Sequence, residues 1–561
     1  MRAAATLLET LLQNQIGTIF GLPGSTEAPL LDALLDYPQV RYVLALHESI
    51  VVGMADGWAR ATGRPGICNL HTTVGTANGL TGLYNAWRDG SPVVAIATHK
   101  HSRILGRDGF CVGPDLPEWA RPVTKWAWQG IHGDQVSEEI NRALKVAAAV
   151  PQSPVYLSYP EDVLAEEVTV ASPLASTTAL SEAYAPDPAE VNRVAELLRG
   201  ARAPVIVAGD EVYRTGAAQA VLRLAERLRA PLLQESRRSS VFWNVDTTTP
   251  AYAGEYSSRH PLVRQADVIL ALGCRLSMEF YPAKAPDVPP GARLVHVHRD
   301  AWEVGKLYRA EVGLVADVRR LAEALLDRLE GYVPPAGRPW PERAQSPARP
   351  QDAAAEPISP AGLAAILGAV APQDTVVVDE AIRSSPALLT HYPMRPGNYF
   401  HSSGGGLGWG LPAALGIQMA WPSRPVAAVV GDGSLLFAIQ ALWTAVREGL
   451  PVKVIVPNNR KYLAVKAGLV EYQGNAVARN QFPGVDLTPP NLDLVHLAQG
   501  FGVPGRVAAT AETVEAALTW AFAQPGPALV DVLVRDDLGE GGALVAPAWS
   551  ALIQSQAATV R

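Results

Sequence analysis

Three cysteines, Cys68, Cys111 and Cys274, serve a chain of 561 residues. Set so far apart, they form neither a metal-ligand pattern nor a disulfide framework, and they read as small buried apolar residues of a protein in the reducing cytoplasm. Long apolar runs are missing too: none reaches the roughly 18 residues that would suggest a membrane span. Positive charge is in short supply, with 47 Lys and Arg against 54 Asp and Glu and a net charge of −7, which leaves no global basic footprint for nucleic acid or anionic membrane. The start, "MRAAATLLETLLQNQ", has no leader-like cleavage site, and Glu9 and Gln13 break its apolar stretch, so an amphipathic first helix is expected. What remains is an ordinary globular composition, 48% hydrophobic and 18% charged, suited to small-molecule chemistry.

Two stretches rich in Pro, Ala and Ser, 171–190 and 334–357, lack apolar periodicity and read as linkers. They leave three blocks of domain size, expected at 1–170, 186–335 and 356–545. Each block alternates short β-branched runs with longer helical patterns: "RYVLAL", "PVVAIAT" and "SPVYLSYP" in the first, "APVIVAG", "DVILALG" and "ARLVHVH" in the second, "DTVVVDE", "RPVAAVVGDG", "PVKVIVPNN" and "PALVDVLV" in the third. This is the α/β pattern of doubly wound domains with mainly parallel sheets. No close internal sequence repeat accompanies the shared rhythm. The middle block opens with a strand, a Gly turn and a helix but has no G-x-G-x-x-G there, so a dinucleotide or flavin is not expected in it.

In the third block an apolar run leads straight into Gly431-Asp432-Gly433, and Ser434 opens a helical pattern, "LLFAIQALWTAVREG". A glycine turn at the carboxyl end of a parallel strand lets backbone amides approach an anion, and a helix start adds partial positive charge. The next strand ends at Asn458-Asn459, on the same edge as Asp432. One carboxylate and one amide are hard oxygen ligands suited to magnesium, which takes few protein carboxylates and completes its shell with phosphate and water.

With residues 434–457 between GDG and NN, this unit resembles the diphosphate-binding motif of thiamine-diphosphate-dependent enzymes, and the resemblance extends over nearly the whole chain. It implies that Asp432 and Asn459 ligate Mg2+ by side chain and Lys461 by its carbonyl, while Gly433 and Ser434 touch the diphosphate. It also implies a pyrimidine-binding first domain, a middle domain without cofactor and a diphosphate-binding third. Glu48, after "RYVLALH", matches the family's glutamate, which bonds the aminopyrimidine ring and promotes the tautomer that deprotonates the thiazolium. In "YFHSSGGGLGWG", Gly405 and Leu407 fall where a carbonyl accepts from the aminopyrimidine and an apolar side chain props the coenzyme bent.

"FGLPGSTE" and "NLHTTVGTANGL" are similar to the substrate-side segments of the benzoylformate decarboxylase branch, which carries Ser25 over as a carboxylate holder and His71 as a proton relay. The implied activity is non-oxidative decarboxylation of a 2-oxo acid to an aldehyde, in a homodimer or homotetramer whose site lies between subunits, with Glu48 of one chain facing Asp432 of another. An acetolactate synthase-like carboligase and a coenzyme-binding protein without turnover are the rival readings.

Two places depart from the branch. Where it has a second histidine, "GCRLSMEFYPAK" offers Phe280 between Glu279 and Tyr281; where it has small hydroxyl residues, "VVDEAIRSSP" offers Ile382 and Arg383. Arg383 reads equally as a phosphate partner or as a solvated surface residue. The stretch after the Asn pair, with Ala464, Val465, Ala467 and Gly468, is less aromatic than a tight phenyl pocket needs, and a larger or differently shaped substrate is expected.

Overall fold

A computed structural model describes residues 1–169, 180, 182–276, 278, 286–336, 338 and 356–536. Most of the two linker stretches, the Glu279–Phe280–Tyr281 triplet and the end of the third block lie outside the described residues. Helix Ala3–Gln13 forms at the start, burying Ala3, Ala4, Leu7, Leu8 and Leu11 on one face.

Among the described residues eighteen strands build three sheets, and every pairing between them is parallel. The first holds β1 Thr18–Gly21, β2 Arg41–Leu44, β3 Gly66–His71, β4 Val93–His99, β5 Trp126–Gln129 and β6 Val155–Pro160, in the order 2-1-3-4-6-5. The second holds β7 Pro204–Ala208, β8 Leu232–Gln234, β9 Tyr252–Glu255, β10 Val268–Leu272, β11 Arg293–His298 and β12 Val312–Val315, in the order 12-11-10-7-8-9. The third holds β13 Val376–Glu380, β14 Tyr399–His401, β15 Val426–Val430, β16 Lys453–Asn458, β17 Gly505–Ala508 and β18 Ala528–Leu533, in the order 14-13-15-16-18-17. Central strands such as β4, β7 and β15 are buried along their whole length, because helices cover both faces of a parallel sheet.

Parallel α/β sheets place ligands outside the carboxyl ends of their strands, at the point where strand order reverses. In the first sheet that point lies between β1 and β3, and in the third between β13 and β15. In the second it lies between β7 and β10, where the described residues pack closely: a Cβ on Gly209 would sit 2.4 Å from the Gly273 carbonyl, and the Arg299 guanidinium pairs with Glu211.

Glycine contacts lock the first and third domains together. Helix Glu48–Thr62 crosses helix Gly410–Ala420 so closely that a Cβ on Gly416 would lie 2.0 Å from the Met54 carbonyl, and one on Gly57 2.2 Å from that of Ala413. Beside this crossing, fully buried Arg60 ties three segments. Its Nε and Nη2 donate to Asp56 at 2.8 and 2.7 Å, Nη2 also to Asp89 at 2.5 Å, and Nη1 to the His401 carbonyl at 2.8 Å. Asp89 in turn accepts from the Ser402 and Ser403 hydroxyls, so the segment that follows β14 is anchored to the first domain.

Candidate active site

Four candidate positions follow the carboxyl ends of four neighbouring strands of the first sheet. Ser25 comes after β1, Glu48 after β2, His71 ends β3, and Lys100 follows β4.

Glu48 is the first residue of helix Glu48–Thr62, capped by His47, whose Nδ1 accepts from the Ser49 amide at 3.2 Å. Its carboxylate is buried and accepts from Asn78 Nδ2 at 3.0 Å. A Cβ on Gly75 would reach within 2.9 Å of Glu48 Oε1, so glycine there leaves room for the carboxylate.

His71 Nδ1 lies 2.8 Å from Glu27 Oε2 and 3.1 Å from Thr26 Oγ1. Glu27 is fully buried and also accepts from the Gly24 amide at 2.7 Å. A buried carboxylate facing Nδ1 fixes the proton on that nitrogen and leaves Nε2 free to accept or return one. Gly24 is required by closeness: a Cβ there would lie 2.2 Å from the imidazole ring. Thr72, immediately after, has φ +47, which is rare for a β-branched residue and marks stored backbone strain where the chain turns His71 out of the sheet. Ser25 is exposed, and its Oγ accepts from Lys100 Nζ at 3.2 Å.

The third sheet repeats the arrangement. Asp432 follows β15 and Asn459 follows β16, its direct neighbour. Asp432 is buried, and burial, with Asp531 adding to it, pushes its carboxyl up to about 6. Its Oδ2 has no hydrogen-bond partner among the described residues. Asn458 is committed to structure, donating to Asp531 at 2.9 Å and accepting from the Arg460 amide at 3.0 Å. Asn459 Oδ1 accepts from the Lys461 amide at 3.0 Å, its single partner among the described residues, and keeps a lone pair. Among the described residues no three His, Cys, Asp or Glu side chains converge, so a cation at Asp432 would be completed by other oxygens. An orphaned carboxylate oxygen and an amide oxygen that follow neighbouring strands fit a magnesium ion that shares phosphate ligands. Lys461 holds the neighbouring loop through its ammonium, paired with Asp536.

One expectation needs correcting here. The helix begins at Asp432 itself and lasts only to Leu435; turns closed by i to i+3 bonds, such as Phe437 N to Ser434 O, separate it from helix Ala441–Arg447. So short a helix carries little dipole, and an anion here would have to be met mainly by the amides of the glycine turn. Gly433 faces Tyr462, whose ring would be 2.5 Å from a Cβ, while buried Ser434 follows.

Gly405 has φ +79 and open space around its Cα, whereas Gly404 and Gly406 are needed for contact: a Cβ would meet Asn85 at 2.3 Å or Thr81 at 2.6 Å. Asn85 grips this loop, donating to the Gly406 carbonyl at 2.8 Å and accepting from its amide at 3.0 Å. Leu407, half-buried, is carried on the same loop. Ile382 sits after β13 with φ +46, and beside it the Arg383 guanidinium is half-buried, its pKa lowered by burial. Ala464, Val465, Ala467 and Gly468 lie on helix Leu463–Tyr472. Glu27, Asn78 and Lys100 escaped the sequence reading, because each acts through a partner distant in the chain.

Family models for the thiamine pyrophosphate enzyme N-terminal TPP binding domain, central domain and C-terminal TPP binding domain match residues 1–116, 191–325 and 384–532. The chain is 36% identical to a benzoylformate decarboxylase of Pseudomonas aeruginosa over 540 residues, covering 93% of this chain and 97% of that one. It is 30% identical to the acetolactate synthase isozyme 2 large subunit of Escherichia coli, with 98% of each chain covered. A solved thiamine diphosphate-dependent 4-hydroxybenzoylformate decarboxylase of Rhodococcus jostii superposes with a TM-score of 0.87 at 32% identity, over 96% of this chain and 100% of that one.

Proposed function

Since the chain belongs to the thiamine pyrophosphate enzyme family, we propose that it is a thiamine-diphosphate- and magnesium-dependent carboxy-lyase. It would convert a 2-oxo acid with an aromatic or otherwise bulky side chain to carbon dioxide and an aldehyde, with carboligation as a side activity. When bound, the coenzyme supplies a carbon nucleophile and an electron sink that amino-acid side chains lack.

The chain's own groups do the rest. Asp432 Oδ2, Asn459 Oδ1 and the Lys461 carbonyl would hold magnesium, and Gly433 and Ser434 the diphosphate. The Gly405 carbonyl and Leu407 would orient the rings, and Glu48 would bond the aminopyrimidine. The Ser25 hydroxyl would hold the substrate carboxylate.

The observation that carries the decarboxylase reading is the Glu27–His71 pair, 2.8 Å apart on the wall that also bears Ser25. It is a proton-handling device, and an aldehyde-releasing reaction ends in proton transfer to carbon. Leu46, Val74, Tyr84, Trp87 and Phe437 are large exposed apolar residues near these positions, which supports a homodimer or tetramer of dimers with the site between chains.

Mass spectrometry of products from the purified protein, supplied with thiamine diphosphate, magnesium and 2-oxo acids of graded size, tests the reading. Aldehyde with carbon dioxide is expected. A 2-hydroxy ketone as main product would move the assignment to an acetolactate synthase-like carboligase, and no carbon dioxide from any acid would leave coenzyme binding without turnover.

A further inference from the structure

A cation stands on the substrate wall with no acid to neutralise it. Lys100 Nζ donates to Ser25 Oγ at 3.2 Å and makes no ion pair among the described residues. The nearby acids are engaged elsewhere. Glu27 Oε2 faces the Gly24 amide and His71, and its Oε1 is buried with no hydrogen bond among the described residues, to Lys100 or to any other group. Glu161 accepts from the His101 amide at 3.1 Å. Asp162 accepts from the Ser102 amide and hydroxyl and lies 3.3 Å from His101 Nδ1. Exposed Arg103 and Arg107, in the turns that follow, outnumber exposed Asp108, so the same segment stays positive.

A fixed ammonium on the reacting carboxylate would oppose the reaction proposed above, because that charge leaves the carboxylate as neutral carbon dioxide forms. An interaction stronger in the bound substrate than in the transition state raises the barrier. A hydroxyl such as that of Ser25 incurs less of this penalty. A cation just beyond the hydroxyl is useful where the substrate has another anionic group, one that keeps its charge throughout.

We infer that Lys100 selects a 2-oxo acid bearing a second, distal carboxylate, which pairs with its ammonium throughout turnover. The inference rests on the decarboxylase reading and narrows its substrate class to dicarboxylic 2-oxo acids. The same charge disfavours 2-oxo acids with a cationic side chain.

The test uses the full chain loaded with thiamine diphosphate and magnesium, and two matched substrate pairs: 2-oxoglutarate against 2-oxohexanoate, and 4-carboxybenzoylformate against benzoylformate. In the wild type, kcat/KM is expected to favour at least one anionic member by about tenfold or more, the scale of one hydrogen bond to a charged group. Lys100→Gln should lose that ratio mainly through KM, and Lys100→Arg should restore much of it. Calorimetric binding of glutarate against pentanoate gives a readout independent of turnover. Absence of carbon dioxide from every acid, with glutarate still preferred in the wild type and not in Lys100→Gln, would sink the decarboxylase reading and keep the recognition. Equal handling of both members of each pair by the wild type, in turnover and binding alike, would overturn the inference. So would a Lys100→Gln loss equal for both members, which would put the ammonium on the carboxylate they share.

Discussion

Replacing Arg60 with methionine keeps the length and most of the packing of the side chain and removes its charge. The guanidinium is fully buried and makes charge-assisted bonds to Asp56 and Asp89, plus one to the His401 carbonyl. Burial alone would raise the Asp89 carboxyl, but Arg60, with Ser402 and Ser403, outweighs it and holds Asp89 below the usual carboxylate range. Removing one partner of a buried pair leaves the other charge uncompensated, at a cost of about 3–5 kcal/mol. Set against a typical total of about 5–15 kcal/mol, that is a large fraction of domain stability.

The pH dependence should change sign. A depressed carboxyl contributes stability that is present at neutral pH and lost as pH falls through its folded pKa. Without Arg60 the Asp89 carboxyl rises, so Arg60→Met should recover stability between about pH 7 and 5 where the wild type gains none from this site. Urea unfolding of both proteins at pH 7.5 and 5.5 measures the difference, and adding Asp89→Asn to the variant should return about half of the loss at pH 7.5 by removing one stranded charge. Because Asp89 anchors Ser402 and Ser403, thiamine diphosphate affinity should fall as well. A variant within about 1 kcal/mol of wild type at pH 7.5, or one whose deficit grows on acidification, would refute the argument that buried charge pairing holds this joint.

Asp432→Asn should abolish the rise in melting temperature that magnesium with thiamine diphosphate gives the wild type, about 2.7 kcal/mol of stabilisation at a hundredfold excess over Kd; an undiminished rise would place the ion elsewhere. Glu48→Gln should lower kcat by about 10²–10⁴-fold while leaving the fold intact by circular dichroism, the scale of a lost proton-transfer partner; unchanged turnover would remove Glu48 from the chemistry. Gly416→Ala forces a Cβ to within 2.0 Å of the Met54 carbonyl, and calorimetry should show a loss of about 2–3 kcal/mol or failure to fold, against which a neutral result would argue. Burial pushes the Glu235 carboxyl up to about 8 and that of Glu255 up to about 7. Raised carboxyls stabilise the folded state while protonated and lose that contribution as pH climbs through the folded pKa, so urea midpoints should fall from pH 6 to 9, less steeply in Glu235→Gln.

Nine of the ten strands legible in the sequence are buried along all or all but one of their residues, so the chain must write them as apolar runs such as "PVVAIAT" and "PVKVIV"; the tenth, edge strand Arg41–Leu44, shows through its β-branched and aromatic residues alone. Three-residue strands such as Leu232–Gln234 and Tyr399–His401 are too short to carry a period. The GDG and Asn pair were readable because a glycine hinge and hard oxygen donors stand close to one another in the sequence. The partners that tune the site were not. Asn78 reaches Glu48 from 30 residues away, Glu27 reaches His71 from 44, and Lys100 reaches Ser25 from 75. Those pairings depend on which strands are neighbours, and no local pattern encodes that. The strained Thr72 ran against local preference as well, since a β-branched residue there argues for negative φ.

The first and third sheets have the same strand order once each is counted from its own first strand, 2-1-3-4-6-5, although no sequence repeat announces it. In both, the candidate residues follow the same four strands: Ser25, Glu48, His71 and Lys100 in one, and Ile382 with Arg383, Gly405 with Leu407, Asp432, and Asn459 with Lys461 in the other. Strand order alone therefore says where each domain can hold a ligand, and the residue types say which part. Among the described residues the third edge presents an orphaned carboxylate oxygen and a glycine turn, suited to a cation and phosphate; the first presents a carboxylate, an imidazole with its own buried acid, and an ammonium without an ion pair. The second sheet has a different order, and among the described residues its switch point is filled by a glycine contact and an internal ion pair, so strand order there offers a ligand less room than in the outer two.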